Sequence, residues 1–138
     1  MSYKSEAMFS RAFCRGLTER NIFYQRIESG ETGRGIPDVY IRLKQREVWV
    51  ELKNDYRISL HDPLFQIKWR PGQQAWHLKY KKAAGTHFCY TCVALKDGFI
   101  LIPMRKRYLK NIVQSSDVWK FEKLADIFAL IEGIGSEV

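Results

Sequence analysis

The stretch "DVYIRLKQREVWVELK", residues 38–53, constrains this chain most, because two runs of β-branched and aromatic residues flank a short polar break, "KQRE". Such residues fit a pleated surface, and a break of that length turns the chain back on itself, so an antiparallel hairpin is predicted. In the second run, strand alternation places Trp49, Glu51 and Lys53 on one face and Val48, Val50 and Leu52 on the other. The acid and the lysine therefore point the same way.

The remaining elements follow from the same periodicities. Phe9, Phe13 and Leu17 share a helical stripe, which predicts a helix over Ser5–Arg20 ended by Asn21, with "IFYQRI" as the next strand. "ESGETGRGIP" is a loop, since Gly30, Gly33, Gly35 and Pro37 exclude regular structure. "NDYRISLHDPLFQIKWR" shows no clear period and is read as a loop with short pieces of structure. Pro71 suits the first position of a helix running to about Ala84 and closed by Gly85, with Gln73, Trp76, His77 and Tyr80 on one face. "THFCYTCVAL" and "FILI" read as strands around the turn "KDG". "MRKRYLKNIV" and "WKFEKLADIFALIEGI" are predicted helices, the second stopped by Gly133. With no repeat or linker in view, the expectation is one domain spanning residues 1–138, of αβββαββα type.

Composition narrows the partners. At 46% hydrophobic and 14% aromatic, the chain is outside the disordered class. A formal charge of +8 favours a polyanion, with nucleic acid first, because clustered lysines and arginines release counterions from phosphates. No apolar run approaches the roughly 20 residues of a membrane span, and the N-terminus lacks a signal-peptide core. We expect no membrane association and an intracellular, cytoplasmic protein. Cys14, Cys89 and Cys92, odd in number, are expected to be free thiols. Cys89 and Cys92 lie three apart on a strand and point to opposite faces, so with His87 they do not form a zinc site. His61 and His77 accompany no serine or cysteine nucleophile pattern.

Phosphodiester hydrolysis needs charge neutralisation at phosphate, a nucleophilic water and a stabilised leaving oxygen, all of which a carboxylate-bound divalent cation helps to supply. Asp38 at one strand start, Glu51 on its neighbour and Lys53 two residues on can converge, since paired strands lie about 5 Å apart. Mg²⁺ prefers oxygen ligands, so Asp38, Glu51 and the Leu52 carbonyl would make a ligand set, with Lys53 orienting or deprotonating the water. The plainer alternative is a turn aspartate after proline and a solvated strand face.

Pro37-Asp38 followed by Glu51-Leu52-Lys53 resembles the PD-(D/E)XK nuclease superfamily. "RIESGETGRGIPDVY", "VWVELK" and "RPGQQAW" are similar, in that order, to the small VRR-NUC nucleases of bacteriophage genomes. The similarity runs from about Glu6 to Pro103 and leaves the C-terminal helices without a counterpart. It implies a restriction-endonuclease-like αβββαβ core, with a mixed central sheet between helices, and DNA cleavage dependent on Mg²⁺ or Mn²⁺. It also implies metal binding by Asp38 and Glu51, a catalytic Lys53 and an active-site glutamine at Gln73, for which Gln74 is the rival. Relatives place a further glutamate on the first helix. Glu6 shares the stripe of Phe9 and Phe13 whereas Glu19 falls with Arg11 and Arg15, so Glu6 is chosen as an additional catalytic and metal-binding acid.

If phosphates track past this site, the basic residues expected beside them are Arg34, Lys68, Arg70, Lys79, Lys82 and Arg105. The expected activity is a metal-dependent DNA endonuclease, either selective for branched DNA, as in Holliday-junction resolvases, or a general nuclease. A resolvase would act as a homodimer. An inert basic DNA-binding module on the same fold is the third reading, and if the chain is phage-encoded its place is the host cytoplasm.

Overall fold

Ser5 starts the first helix by accepting a hydrogen bond from the Met8 N–H to its Oγ at 3.1 Å, which satisfies one of the free donors of α1 (Glu6–Glu19). The protein is described from a computed structural model covering residues 2–27, 35–70, 72–84, 88–104 and 111–136. At the far end of α1, Asn21 takes φ 56°, the left-handed conformation that asparagine tolerates, and turns the chain into β1 (Phe23–Arg26). The predicted hairpin follows as β2 (Val39–Arg42) and β3 (Glu47–Asp55), paired antiparallel with Val39 opposite Val50.

A short β4 (Leu64–Gln66) precedes α2 (Gln73–Ala84), which crosses over to β5 (Cys89–Leu95). β5 pairs with β3 in parallel, the arrangement that such a crossover permits. β6 (Phe99–Pro103) returns antiparallel across the predicted "KDG" turn. β7 (Ile112–Gln114), a single 3₁₀ turn (Ser115–Asp117), β8 (Trp119–Phe121) and α3 (Leu124–Ser136) complete the chain. The main sheet is mixed, in the order β1-β2-β3-β5-β6-β8, and β4 and β7 form a separate two-stranded ladder.

Alternation along the strands builds a core on each face. Val48, Val50, Leu52, Tyr90, Cys92 and Ala94 meet Phe9, Phe13 and Leu17 of α1 and Ile127, Phe128 and Ile131 of α3. On the other face Trp49, Cys89, Val93 and Leu95 meet Trp76 and Tyr80 of α2 and Phe65 and Val113 of the small ladder. Cys89 and Cys92 thus lie in opposite cores, and all three cysteines are free and buried. The two outer helices touch at Gly16, where a Cβ would fall 2.2 Å from Phe128 Cε2, so this close approach requires glycine.

The stretch read as a loop with short pieces of structure holds one such piece, β4, because Leu64–Gln66 finds a backbone partner in β7. Several expectations are corrected. The helix expected over "MRKRYLKNIV" is overturned at its end, where Ile112 and Val113 are strand. Val113 is buried against the second core, which outweighs any local helical period. "WKF" pairs with β6 and is also strand, so among the described residues after β6 the α-helix is α3 alone. That helix continues through Gly133 to Ser136, because burial of Ile131 and Ile134 outweighs glycine's propensity cost of about 1 kcal/mol. Pro71, Gly85, residues 105–110 and most of "ESGETGRGIP" lie outside the described residues. Among the described residues no helix is long and apolar enough to cross a membrane.

Candidate active site

The site forms at a fork in the sheet. β2 stops at Val39, opposite Val50, while β3 runs on through Glu51 to Asp55 with only β5 beside it. The abandoned edge of β3 would leave backbone donors unpaired, and the Asp38 carboxylate takes the place of the missing strand. The Leu52 N–H donates to Asp38 Oδ2 at 2.9 Å. A residue's N–H and C=O leave a strand on the same edge, so the Leu52 carbonyl also faces Asp38. Further along, Asn54 Nδ2 donates to the Tyr3 carbonyl at 2.9 Å, which holds the approach to α1 beside this edge. Glu6, the first residue of α1, consequently reaches the fork. Carboxylate oxygens of Glu6, Asp38 and Glu51 all lie within 4.8 Å of one another.

Gln73 joins these acids to Lys53. Its Nε2 donates to Glu51 Oε2 at 2.7 Å, while its Oε1 accepts from Lys53 Nζ at 3.1 Å and from the Arg70 N–H at 2.8 Å. The last bond runs from the side chain of the first residue of α2 back to a backbone N–H three residues earlier, the i-to-i−3 reach that a capping box also uses. It fixes the amide before any ligand arrives. Arg70 donates through its guanidinium to Glu6 Oε2 at 2.9 Å, so one residue clamps both the glutamine and the helix-one acid. Lys53 Nζ also sits 5.5 Å over the Trp69 ring.

Two glycines hold the halves of this network together. Gly35 and Gly72 adopt φ 87° and 89°, and a Cβ at Gly35 would fall 2.2 Å from the Gly72 carbonyl oxygen and 3.1 Å from the Gln73 nitrogen. The loop that delivers Asp38 is therefore docked, backbone to backbone, on the start of the helix that delivers Gln73. Both positions need glycine, for the positive φ and, at Gly35, for the contact. The pairing of "GIPD" with "RPGQ" in one sequence has this physical cause.

Electrostatics mark the site as short of positive charge. Burial, and then the neighbouring Asp38 charge, push the Glu51 carboxyl up to about 8, with Lys53 offsetting only part of the rise. Burial likewise lowers the Lys53 ammonium, against the opposing pull of Glu51. Three carboxylates, of which Glu51 is the buried one, fit a hard divalent cation, which would relieve the repulsion that adds to the rise of Glu51. The residues present suit Mg²⁺ or Mn²⁺ and contain no soft ligand.

A cleft of about 500 Å³ opens beside Glu6 and Lys53, and its walls include Lys4, Arg57, Lys68 and Arg70. Of the residues read as a phosphate track, Lys68 and Arg70 line this cleft, whereas Lys79 and Lys82 stand exposed on α2 outside it. Arg34 and Arg105 lie outside the described residues. Glu19 is exposed on the last turn of α1, about 20 Å along the helix from Glu6, and takes no part in the fork. Gln73 is buried and supplies the bonds to Glu51 and Lys53. Sequence reasoning missed Lys4 and Arg57 and the Arg70–Glu6 pair, for which no local pattern exists.

No protein-family model matches the sequence, and no curated protein does either. Among solved structures the chain is similar to Archaeoglobus fulgidus Hjc, a Holliday junction resolvase from an archaeal hyperthermophile. The TM-score is 0.56 at 14% identity, over 94% of this chain and 99% of that one. The likeness and the mixed sheet between helices establish a restriction-endonuclease-like fold.

Proposed function

We propose that the chain is a divalent-cation-dependent DNA endonuclease of the PD-(D/E)XK type, VRR-NUC-like in its motifs and acting on branched DNA. One observation carries this reading: Glu6, Asp38 and Glu51 converge within 4.8 Å, bridged by Gln73 to a half-buried lysine. Replacing buried charged groups by apolar ones is often neutral or stabilising, so stability is a weak account of a cluster held this closely. Branched DNA is favoured because a protein of the same fold is named for resolving Holliday junctions. Cutting two strands of a junction needs two sites, which two copies of this chain would supply.

A Mg²⁺ or Mn²⁺ ion held by Glu6, Asp38, Glu51 and the Leu52 carbonyl would, when bound, neutralise charge at the scissile phosphate and lower the proton affinity of the attacking water. Burial favours the neutral form of Lys53, and as the neutral amine it orients that water and takes its proton at Nζ, becoming the ammonium. The water oxygen bonds to phosphorus as one P–O bond to the sugar breaks, and the departing sugar oxygen takes a proton from solvent. Gln73 keeps Lys53 and Glu51 in fixed register, so neither has to reorganise during the reaction.

The test incubates purified protein and either metal with a linear duplex, a single strand and a four-way junction. Paired nicks confined to the junction are expected, and they should be lost in Asp38→Asn and Lys53→Ala. Cleavage surviving both substitutions would remove the site from the reaction. Degradation of all three substrates would replace branched DNA with DNA in general. Binding without cleavage under either metal would leave a DNA-binding module.

A further inference from the structure

β3 ends in a turn that presents Tyr56, 57% exposed, on the wall of the cleft beside the carboxylates. At about 3.3 Å per residue, the strand carries the backbone about 13 Å from Glu51 to Asp55, the residue before Tyr56. The turn is fixed in place. Asp55 Oδ1 accepts from the Arg57 N–H at 3.1 Å and from Arg57 Nε at 3.2 Å. Lys4 and Lys68 stand exposed on the same walls, and neither is in an ion pair with a described residue. The cleft therefore sets an aromatic face among cations, along a line that begins at the proposed cutting site.

Cations along a groove follow phosphates, and an aromatic ring among them can stack on a base only if that base's face is uncovered. In a duplex, neighbouring bases cover those faces. Resting on the nuclease reading above, we infer that this cleft takes an unpaired strand continuing from the scissile phosphate, with one base stacked on Tyr56 and the backbone beside Lys4, Arg57 and Lys68. The substrate feature recognised is then a single-stranded flank, such as an opened arm at a branch point.

The experiment uses the whole protein in EDTA, which prevents cleavage, with a single-stranded oligodeoxynucleotide carrying 2-aminopurine at one position in turn, and a matched duplex. Anisotropy reports binding and 2-aminopurine emission reports stacking. We expect an emission change at one position of the single strand. Tyr56→Ala should abolish it and weaken binding about fivefold to a hundredfold, while Tyr56→Phe preserves both. Lys68→Ala should leave the emission change intact and lower the slope of affinity against salt by about 0.7. If Tyr56→Ala matches the wild type in both signals, or if the duplex binds as tightly and as Tyr56-dependently as the single strand, the inference is overturned. A protein that cuts nothing yet gives the Tyr56-dependent signal overturns the nuclease reading and leaves the cleft assignment standing. One that cuts, with Tyr56→Ala silent, does the reverse.

Discussion

β3 contains two different kinds of strand. Its first half, Glu47–Val50, pairs with β2 along its length and from Trp49 onward with β5 as well, and Val48 and Val50 are wholly buried in the core under α1 and α3. Its second half, Glu51–Asp55, keeps β5 but loses β2, and the vacated edge is filled by the Asp38 carboxylate and the segment leading to α1. The first half stabilises the fold through apolar burial. The second holds a nearly inaccessible glutamate and a half-buried lysine, each at an electrostatic cost that folding alone does not require. One sequence pattern, alternation, thus serves stability until the partner strand leaves and a site afterwards.

If that division is right, substitutions in the two halves should separate activity from stability. Lys53→Met should lower the cleavage rate by about a hundredfold to ten-thousandfold, in line with loss of a general acid–base group, with the fold retained by circular dichroism. Gly35→Ala, which touches no acid, should lower cleavage about a hundredfold by displacing Gln73 from its docked position. Its metal-free melting point should fall as well, because alanine is strained at φ 87°. A Gly35→Ala protein with full activity would show that the backbone contact with Gly72 does not position the site.

The titration of the second half supplies a third separation. The Glu51 carboxyl is raised above its ordinary 4.5 to about 8 by burial and by Asp38, with Glu6 adding to the rise and Lys53 opposing it. Such a group favours the folded state fully below pH 4.5 and loses that contribution as pH rises through about 8. The metal-free protein should therefore lose up to about 1.4 kcal/mol per pH unit across that window, relative to Glu51→Gln, in urea unfolding. A difference that grows toward acid pH would reverse the assignment. In the first half, Val50→Ala should cost about 2 kcal/mol and leave the cleavage rate of the folded molecules unchanged.

What the sequence reveals follows the same division. The hairpin, the sidedness of β3 and β5 and the buried face of α2 are periodic features, and each could be read from local spacing. β4, β7 and β8 are three residues each and owe their conformation to partners far away in the chain, so no window around "WKF" or "NIV" contains the reason for them. Gly133 reads as a stop because propensity is local, whereas the burial of Ile131 and Ile134 that carries α3 past it is not. At the site, strand parity put Glu51 and Lys53 on one face and hairpin pairing put Asp38 within reach, whereas the helix-one acid came from the resemblance, with the stripe on α1 choosing Glu6 over Glu19. The Asp38 bond to the Leu52 amide, the docking of Gly35 on Gly72 and the Arg70 clamp on Glu6 are through-space relations that become visible only once the fork has formed.

The central claim, that the unpartnered half of β3 builds a divalent-cation site, is tested most directly by calorimetric titration of the protein with Mn²⁺ at pH 7 in two buffers of different ionisation enthalpy. Binding is expected for the wild type, with release of up to one proton as Glu51 ionises, and it should be lost in Glu51→Gln and Asp38→Asn. Absence of binding in the wild type, or Mn²⁺ affinity unchanged in both variants, would contradict the account.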